Sequence, residues 1–306
     1  MIIIGGGLAG CLAAYRFKEA IIYEAAPEPS TQHRAVLRFK TDAISKLTGI
    51  KMERVNVYKG IVYNGMEVSL SPKMIALYSK KVTGSYAIRS ITDLGVSTRW
   101  IPPSNFHMCM MDDLHAQGRL RYGMKLTRLF RSGAEFNNSP SANQGAPIIS
   151  TIPISRLADC ASNPLETDAN FQSIYVNIFR VPDSVMNATV YFPSAMTSIY
   201  RASLVADRMI VESMRPMDGQ LEIATDALGV HPTSLILKDH EQRIGKLVPI
   251  DEIERRRFIL TMTRTYGVYS LGRFATWRNV VLDDIVQDLD KIHQLMTVDD
   301  YERYKA

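Results

Sequence analysis

The chain has 306 residues, of which 46% are hydrophobic and 22% are charged. This balance is typical of a globular protein and excludes disordered, collagen-like and small disulfide-stapled classes. No apolar run approaches the ~18–20 residues that a membrane-spanning helix requires, and we expect no leader segment. The net charge of +5 favours a polyanionic or phosphorylated ligand without requiring one.

The cysteines and histidines give no sign of a metal centre. Cys11, Cys109 and Cys160 lie far apart and show neither CxxC nor mixed Cys/His spacing. None of the six histidines falls in HxH or HExxH spacing. We therefore expect no metal site, a reducing compartment and a cytoplasmic location.

The N-terminal segment predicts a dinucleotide-binding turn. A short apolar run, residues 1–4, precedes a helical pattern that begins at Leu8. Between and within them, Gly5, Gly7 and Gly10 have GxGxxG spacing. In such a turn the first glycine makes the tight bend, the second lets a pyrophosphate approach, and the third allows close helix packing. The helix start then offers N–H donors and a positive dipole end to phosphates.

A carboxylate follows the second predicted strand. Glu24 ends the run 20–24, about 20 residues after the first glycine, where an acidic residue accepts hydrogen bonds from an adenosine ribose. A carboxylate at this point disfavours the 2′-phosphate of NADP. NAD and FAD share this fingerprint, so the choice between them depends on the other end of the chain.

The first half of the remaining chain predicts a mixture of helices and strands. Proline, glycine and polar residues mark the exposed excursion at 137–147 as a loop. The other predicted elements are a helix at 42–47 ended by Gly49, strands at 75–78 and 84–89, a helix ending near Gly118, and a strand at 126–130.

From residue 171 onward the pattern becomes rich in strands. A helix is expected at 220–228, ended by Gly229. Four successive strands imply an antiparallel sheet, a layer separate from the parallel dinucleotide-binding sheet. Alternating apolar residues place these strands at 173–179, 189–192, 198–205 and 209–214.

The C-terminal part predicts a second strand–turn–helix unit. Gly272 and Arg273 form the turn, and Ile285, Leu289 and Ile292 lie on one face of the helix that follows. Such a turn suits the flavin, ribityl or pyrophosphate part of an extended cofactor whose adenosine end binds the first turn. An NAD-dependent dehydrogenase would leave this second unit unexplained.

These residues resemble a known superfamily. The segment 272–277 with Asp283 and Asp284 is similar to the C-terminal flavin motif of the FAD-dependent amine oxidoreductases, in the branch that contains UDP-galactopyranose mutase and protoporphyrinogen-oxidase-like proteins. The segment 148–153 is similar to the strand by which those chains return to the flavin domain, and 190–193 with 200–201 is similar to a strand pair of their substrate domain.

The resemblance implies an α/β fold: a Rossmann-like FAD-binding domain of the GR2-type flavoproteins with an inserted antiparallel-sheet substrate domain. FAD would be bound non-covalently. Residues 1–74, 101–165 and 245–306 would form the discontinuous FAD-binding domain, and 75–100 with 166–244 the substrate domain. The substrate would lie between the two domains.

The predicted site residues fall into two groups. The candidates for binding substrate are Tyr191, Tyr200, Arg201 and Trp277. The candidates for binding FAD are Gly5, Gly7, Leu8, Ala9, Gly10, Glu24, Arg34, Arg38, Thr151, Gly272, Arg273, Asn279 and Val280. Lys246 is interpreted as a surface lysine and His107 as a helix-face or core residue. No catalytic residue is predicted, because flavin itself carries the redox step.

The first functional hypothesis, implied by the resemblance, is oxidation of a C–N bond by hydride transfer to FAD. One alternative is an amine-processing flavoenzyme that acts on a modified base in DNA, which the positive charge permits. A second is a sugar-nucleotide isomerase like UDP-galactopyranose mutase, although Trp277 and Asn279 replace tyrosines of the mutase motif. A third is a non-catalytic, FAD-binding redox sensor. We expect the substrate to be an amine, either a small molecule or part of a macromolecule such as a nucleic acid. We expect no membrane partner, and the sequence leaves the number of subunits undetermined.

Overall fold

A computed structural model describes residues 1–29, 36–86, 91–131, 133–137, 139–142, 145–166, 168–217 and 219–297, without the side chains of 139–142 and 244. Among the helices in these ranges, none is long and apolar enough to span a bilayer. Arg34, a predicted FAD ligand, lies outside the described residues.

Strands and helices alternate at both ends of the chain, and strands dominate its middle. The strands are β1 (Ile2–Ile4), β2 (Ile21–Tyr23), β3 (Glu53–Tyr63), β4 (Met66–Glu67), β5 (Gly95–Ile101), β6 (Leu120–Arg121), β7 (Leu126–Phe130), β8 (Gly133–Phe136), β9 (Ser139–Ala142), β10 (Ile148–Ser150), β11 (Phe171–Arg180), β12 (Asn187–Tyr191), β13 (Ile199–Val205), β14 (Arg208–Ser213), β15 (Ile236–Leu247) and β16 (Val268–Ser270). The helices are α1 (Leu8–Arg16), α2 (Ala43–Thr48), α3 (Pro72–Thr83), α4 (Phe106–Ala116), α5 (Ile154–Ala161), α6 (Leu221–Leu228), α7 (Glu252–Tyr266), α8 (Arg273–Thr276) and α9 (Leu282–Thr297).

A parallel sheet of five strands, in the order β16-β10-β1-β2-β6, gathers both ends of the chain and its middle. Helices cover both faces: residues of α1, α4 and α9 pack on one side, and residues of α5 and α7 on the other. Strands buried on both faces need continuous apolar runs, and Ile2, Ile3 and Ile4 are each at most 2% exposed. This is the predicted Rossmann-like layer.

A second sheet of eight mostly antiparallel strands runs in the order β15-β11-β14-β13-β12-β3-β4, with β5 paired to β3. The four strands predicted after residue 171 are confirmed as β11 to β14. Two long strands, β3 and β15, were not predicted, because charged residues interrupt their alternation. Strand β3 belongs to this sheet although it falls in the predicted FAD-binding segment 1–74; the domain boundaries themselves stay a prediction.

The strand predicted at 75–78 is wrong, because this segment lies inside helix α3. Ser71 caps the helix by accepting from the Met74 N–H, and Pro72 suits its first turn. Met74, Tyr78 and Val82 are buried at a spacing of four, a period that a four-residue window cannot show. Of the strand predicted at 84–89, the described residues 84–86 are not in a strand. Gly84 instead ends α3 in the left-handed conformation at φ +76°, and 87–90 lie outside the described residues.

The loop predicted at 137–147 is partly wrong. Strand β9 lies within it and pairs with β8 at the edge of a small sheet ordered β7-β8-β9. An edge strand needs hydrogen bonds on one side only, so it tolerates the proline at position 140 that favoured a loop. The helices predicted at 42–47, before Gly118 and at 220–228 are confirmed as α2, α4 and α6.

Candidate functional site

Three turns meet at one edge of the parallel sheet. Because β1, β10 and β16 are adjacent and parallel, the residues that follow them lie side by side. Thr151, after β10, donates through Oγ1 to the Ile4 carbonyl at 2.9 Å. A Cβ added at Gly272, after β16, would lie 3.0 Å from the Ala9 Cβ of α1. The structure therefore brings the predicted cofactor residues of all three segments together.

The first turn is as tight as its glycine spacing predicts. Gly5 has φ +99°, a conformation that disfavours any side chain. A Cβ at Gly10 would lie 2.0 Å from the Gly5 carbonyl oxygen, so only glycine lets α1 pack so closely against β1. His107 of α4, which is buried, lies with Nε2 2.9 Å from the Gly6 carbonyl oxygen and supports the turn from behind.

The space in front of Gly7 is open, in contrast to the crowding at Gly5 and Gly10. A Cβ at Gly7 would meet no atom of the described residues within 4 Å. Helix α1 starts there with no side-chain cap and no acidic residue in its first turn. Uncapped N–H groups and a positive dipole end form an anion-binding site. Leu8 and Ala9, predicted to bind the cofactor, are the first two residues of the helix that begins at this cradle.

Glu24 holds the turn from the end of β2. Its Oε2 accepts from the Gly6 N–H at 2.5 Å, and its Oε1 accepts from the Ala26 N–H at 2.8 Å. A carboxylate offers about four acceptor positions, so about two remain for ribose hydroxyls. Glu24 thus fixes the loop and can still accept hydrogen bonds from an adenosine ribose, as the sequence predicts.

The turn at Gly272, which follows β16 and which we call the second turn, contacts the first part of the chain. Gly272 has φ +88°, and Arg273 donates through Nη1 to the Gly245 carbonyl at 3.4 Å. Asp283, at the start of α9, accepts from the backbone N–H groups of Lys40 and Thr41 at 2.9 and 3.3 Å. Burial raises the pKa of the Asp283 carboxyl. Val280 is half-buried between this turn and α9.

A cavity of about 450 Å³ lies beside the second turn. Asn279 lines it, and so does Trp277, whose indole Nε1 donates to the Val248 carbonyl at 2.7 Å. Trp277 is only 5% exposed and packs on Phe171, with ring centroids 4.8 Å apart. The charged residues of its wall are Lys246, Arg255, Arg273, Arg278 and one carboxylate, Glu252.

A buried carboxylate near the cavity organises the predicted substrate residues. Glu212 of β14 is 2% exposed and accepts a hydrogen bond from the Tyr200 hydroxyl at 2.9 Å. It also forms an ion pair with Arg201, and Arg243 lies 3.9 Å from its Oε1. Burial alone would raise the pKa of Glu212, but Arg201, Lys246 and Arg243 together lower it to about 2.

Lys246 links this carboxylate to the cavity. Its ammonium lies 4.5 Å from the centroid of the Tyr200 ring, and the residue is 5% exposed. The interpretation of Lys246 as a surface lysine is therefore wrong. Lysine side chains are rarely buried, so the sequence favours an exposed position for Lys246. The pairing of β15 with β11 places it on the buried face of the sheet instead.

The buried side of the large sheet is strongly basic. Tyr191, Arg201 and Glu212 are register neighbours across β12, β13 and β14, so they share one face of the sheet. Thr189 lies two residues before Tyr191 on β12, so the two side chains are on the same face. Lys59 of β3 is the register neighbour of Thr189 and shares that face. We call this surface the cationic face and define it by Arg38, Lys59, Arg99, Arg201, Arg243 and Lys246.

Arg38 has another role than the predicted one, and Tyr191, a substrate candidate, makes a packing contact. Arg38 does not reach the glycine turns, because its guanidinium donates to the Ala188 carbonyl at 3.2 Å, to Thr189 Oγ1 at 2.7 Å and to the Leu204 carbonyl at 2.5 Å. Tyr191 packs edge-on against Tyr78 with ring centroids 5.4 Å apart, which makes it part of the wall under α3.

Comparison with known proteins identifies the fold. No protein-family model matches the sequence, and no curated protein is similar to it. Solved structures are similar: reduced UDP-galactopyranose mutase has a TM-score of 0.71 at 15% identity, over 96% of this chain and 93% of that one. A CLA-producing fatty acid isomerase from P. acnes has a TM-score of 0.63 at 10% identity, over 96% and 97%. HpxO of Klebsiella pneumoniae, complexed with FAD and uric acid, has a TM-score of 0.57 at 14% identity, over 98% and 80%.

The chain has the Rossmann-type fold of FAD-binding flavoproteins. The predicted resemblance to the FAD-dependent oxidoreductases, on the side of UDP-galactopyranose mutase, is confirmed at the level of the fold. The solved structures that are similar to this chain also include an oxidoreductase from Methanosarcina mazei and a p-nitrophenol 4-monooxygenase.

Proposed function

We propose that this chain is a flavoenzyme that binds FAD non-covalently along the three turns and acts on an anionic, phosphate-bearing substrate. The cradle at Gly7 would hold the pyrophosphate, Glu24 the adenosine ribose, and the Gly272 turn the remainder of the cofactor. When bound, FAD supplies either hydride acceptance or a nucleophilic reduced ring.

The basic lining of the cavity carries the proposal on the substrate. Four cationic side chains and one carboxylate line it among the described residues: Arg255 pairs with Glu252 and Arg278 with Asp288, so the excess positive charge lies at Lys246 and Arg273. Such a site attracts anions and disfavours the ammonium form of a free amine. Arginine and lysine donate charge-assisted hydrogen bonds to phosphate oxygens, and arginine does so with two parallel bonds.

Among the alternatives, a sugar-nucleotide isomerase accords best with this charge. The similar fold of UDP-galactopyranose mutase supports the same choice. Oxidation of a free amine stays a hypothesis that the basic lining disfavours, whereas a modified base carried by DNA keeps a phosphate and stays compatible. A redox sensor without substrate does not require a cavity of about 450 Å³ beside the second turn. A cytoplasmic location stays a prediction.

The visible spectrum of the purified protein tests the cofactor and the substrate together. We expect a yellow protein whose flavin band shifts when UDP-galactopyranose or UDP is added, and which benzylamine does not bleach without oxygen. Bleaching by benzylamine would instead establish amine oxidation. A colourless protein that cannot be reconstituted with FAD would overturn the whole proposal.

Lys246→Met tests the role of the basic wall. Because a lost charge-assisted hydrogen bond weakens binding by about tenfold or more, UDP should bind correspondingly less tightly to the FAD-loaded variant. Lys238→Met, an exposed lysine of the same strand, is the matched control and should leave the affinity unchanged. Equal affinities for both variants in a flavin titration would remove Lys246 from the site.

A further inference from the structure

A separate basic cluster on the cationic face surrounds Asp93. Its Oδ2 lies 3.2 Å from the Lys40 ammonium, 3.1 Å from Arg99 Nη2 and 4.0 Å from the Lys59 ammonium. These residues are not among those that line the cavity of about 450 Å³. We call them the Asp93 cluster.

The Asp93 cluster has more positive charge than it can neutralise internally. Among the described residues, three cations share one carboxylate, which leaves a net charge of two. The side chains of Lys59 and Arg99 are only 15% and 9% exposed, so solvent screens their repulsion weakly. Burial, followed by the charge of Arg99, lowers the pKa of Lys59 to about 8. At 4.0 Å its ammonium lies beyond hydrogen-bond distance of Asp93.

The excess charge extends towards Arg38. The Nε of Arg38 is buried and, among the described residues, has no hydrogen-bond partner. Burial, together with the positive charges of Arg201 and Arg99, lowers the pKa of Arg38 to about 10. A buried donor without a partner is costly unless a ligand or water accepts from it.

The Asp93 cluster is accessible to a ligand from one side. The carboxylate is 34% exposed and the Lys40 side chain 53% exposed, so the cluster is open to solvent on that side.

We infer that the Asp93 cluster is a binding site for a phosphate monoester dianion. A phosphate monoester carries a charge of about −1.5 to −2 at neutral pH, which matches the net charge of the cluster. A phosphodiester carries a single negative charge and would neutralise only half of the net positive charge of the cluster. The Lys59 ammonium, without a hydrogen bond to Asp93, and Arg99 would donate to its oxygens. This inference goes beyond the proposed function and does not require bound FAD.

Calorimetric titration with inorganic phosphate tests the site, in the protein with and without FAD. We expect saturable binding of one phosphate in both forms. Lys59→Met should weaken it by about tenfold or more, whereas Lys59→Arg should stay within about threefold of the native chain. Arg54→Met is the matched control, because Arg54 is exposed on the opposite face of the same strand and should have no effect.

Four results would overturn the inference. They are no binding at millimolar phosphate, equal binding by Lys59→Met and the native chain, displacement of phosphate by FAD, and equally tight binding of a short oligonucleotide with hydroxyl ends. Thermal melting of each variant checks that it folds. The flavin-band titration with UDP is a separate measurement, so failure of this site is distinguishable from failure of the proposed function.

Discussion

Gly7→Ala should fold as stably as the native chain and bind almost no FAD. The new methyl group would meet no atom within 4 Å in the part of the chain that the structure describes, so the described packing does not oppose it. It would stand in the cradle at the start of α1, where the pyrophosphate is proposed to approach the backbone. We expect the affinity for FAD to fall by about a hundredfold, since both contact and backbone hydrogen bonds are lost. Thermal melting and a flavin titration measure the two effects.

Gly10→Ala is the matched comparison, because it adds the same methyl group one helical turn further on. There the Cβ would lie 2.0 Å from the Gly5 carbonyl oxygen, so α1 must move away from β1. Overpacking of this kind costs about 1–3 kcal/mol or more. Gly10→Ala should therefore lower the melting temperature before any cofactor is added. If Gly7→Ala bound FAD normally, the assignment of the cradle would be wrong.

Glu212→Gln should be the most destabilising isosteric substitution on the cationic face. The carboxylate is 2% exposed, pairs with Arg201 and accepts from Tyr200. Its removal leaves buried positive charge without a counter-ion, which costs about 3–5 kcal/mol. Chemical denaturation at pH 7 measures the loss. Glu241→Gln is the control, because that half-exposed residue should contribute less than about 1 kcal/mol.

The same carboxylate predicts how stability changes with acid. The pKa of Glu212 is lowered from its ordinary value of 4.5 to about 2 in the folded chain. The unfolded chain therefore takes up the proton first, and this part of the stability is complete above pH 4.5 and is lost as the pH falls towards 2. In Glu212→Gln the acid-dependent fraction, about 3 kcal/mol, should be absent. An unchanged acid profile would contradict the ion-pair assignment.

The cofactor half of the site was predictable because its signals are local. The turn needs glycine at Gly5 and Gly10 for reasons of conformation and close packing, and these reasons leave a fixed spacing in the sequence. Glu24 and Gly272 follow predicted strands directly, and parallel strands place such residues at one edge. Each of these predictions depended only on one predicted strand and on the residues at its end.

The substrate-binding half of the site was harder to predict from the sequence, because it depends on which strands pair. Glu212 and Lys246 are distant in sequence, and they meet only because β14 and β15 both pair with β11. No spacing rule relates them. Arg38 shows the same limit, because its position in the basic segment after Glu24 suggested the cofactor, whereas carbonyls of β12 and β13 accept its hydrogen bonds. The helix α3 was missed because the four residues analysed at 75–78 are too few to separate two periods.

The order β16-β10-β1 of the parallel sheet has a consequence for biosynthesis. The edge strand β16 begins at Val268, so a ribosome has made residues 1–267 before the Gly272 turn exists. Until then β10 is an exposed edge that can pair with another strand. Nascent chains that lack β16 would therefore expose this edge to aggregation, and the cofactor could complete its contacts only after the Gly272 turn has been made and folded.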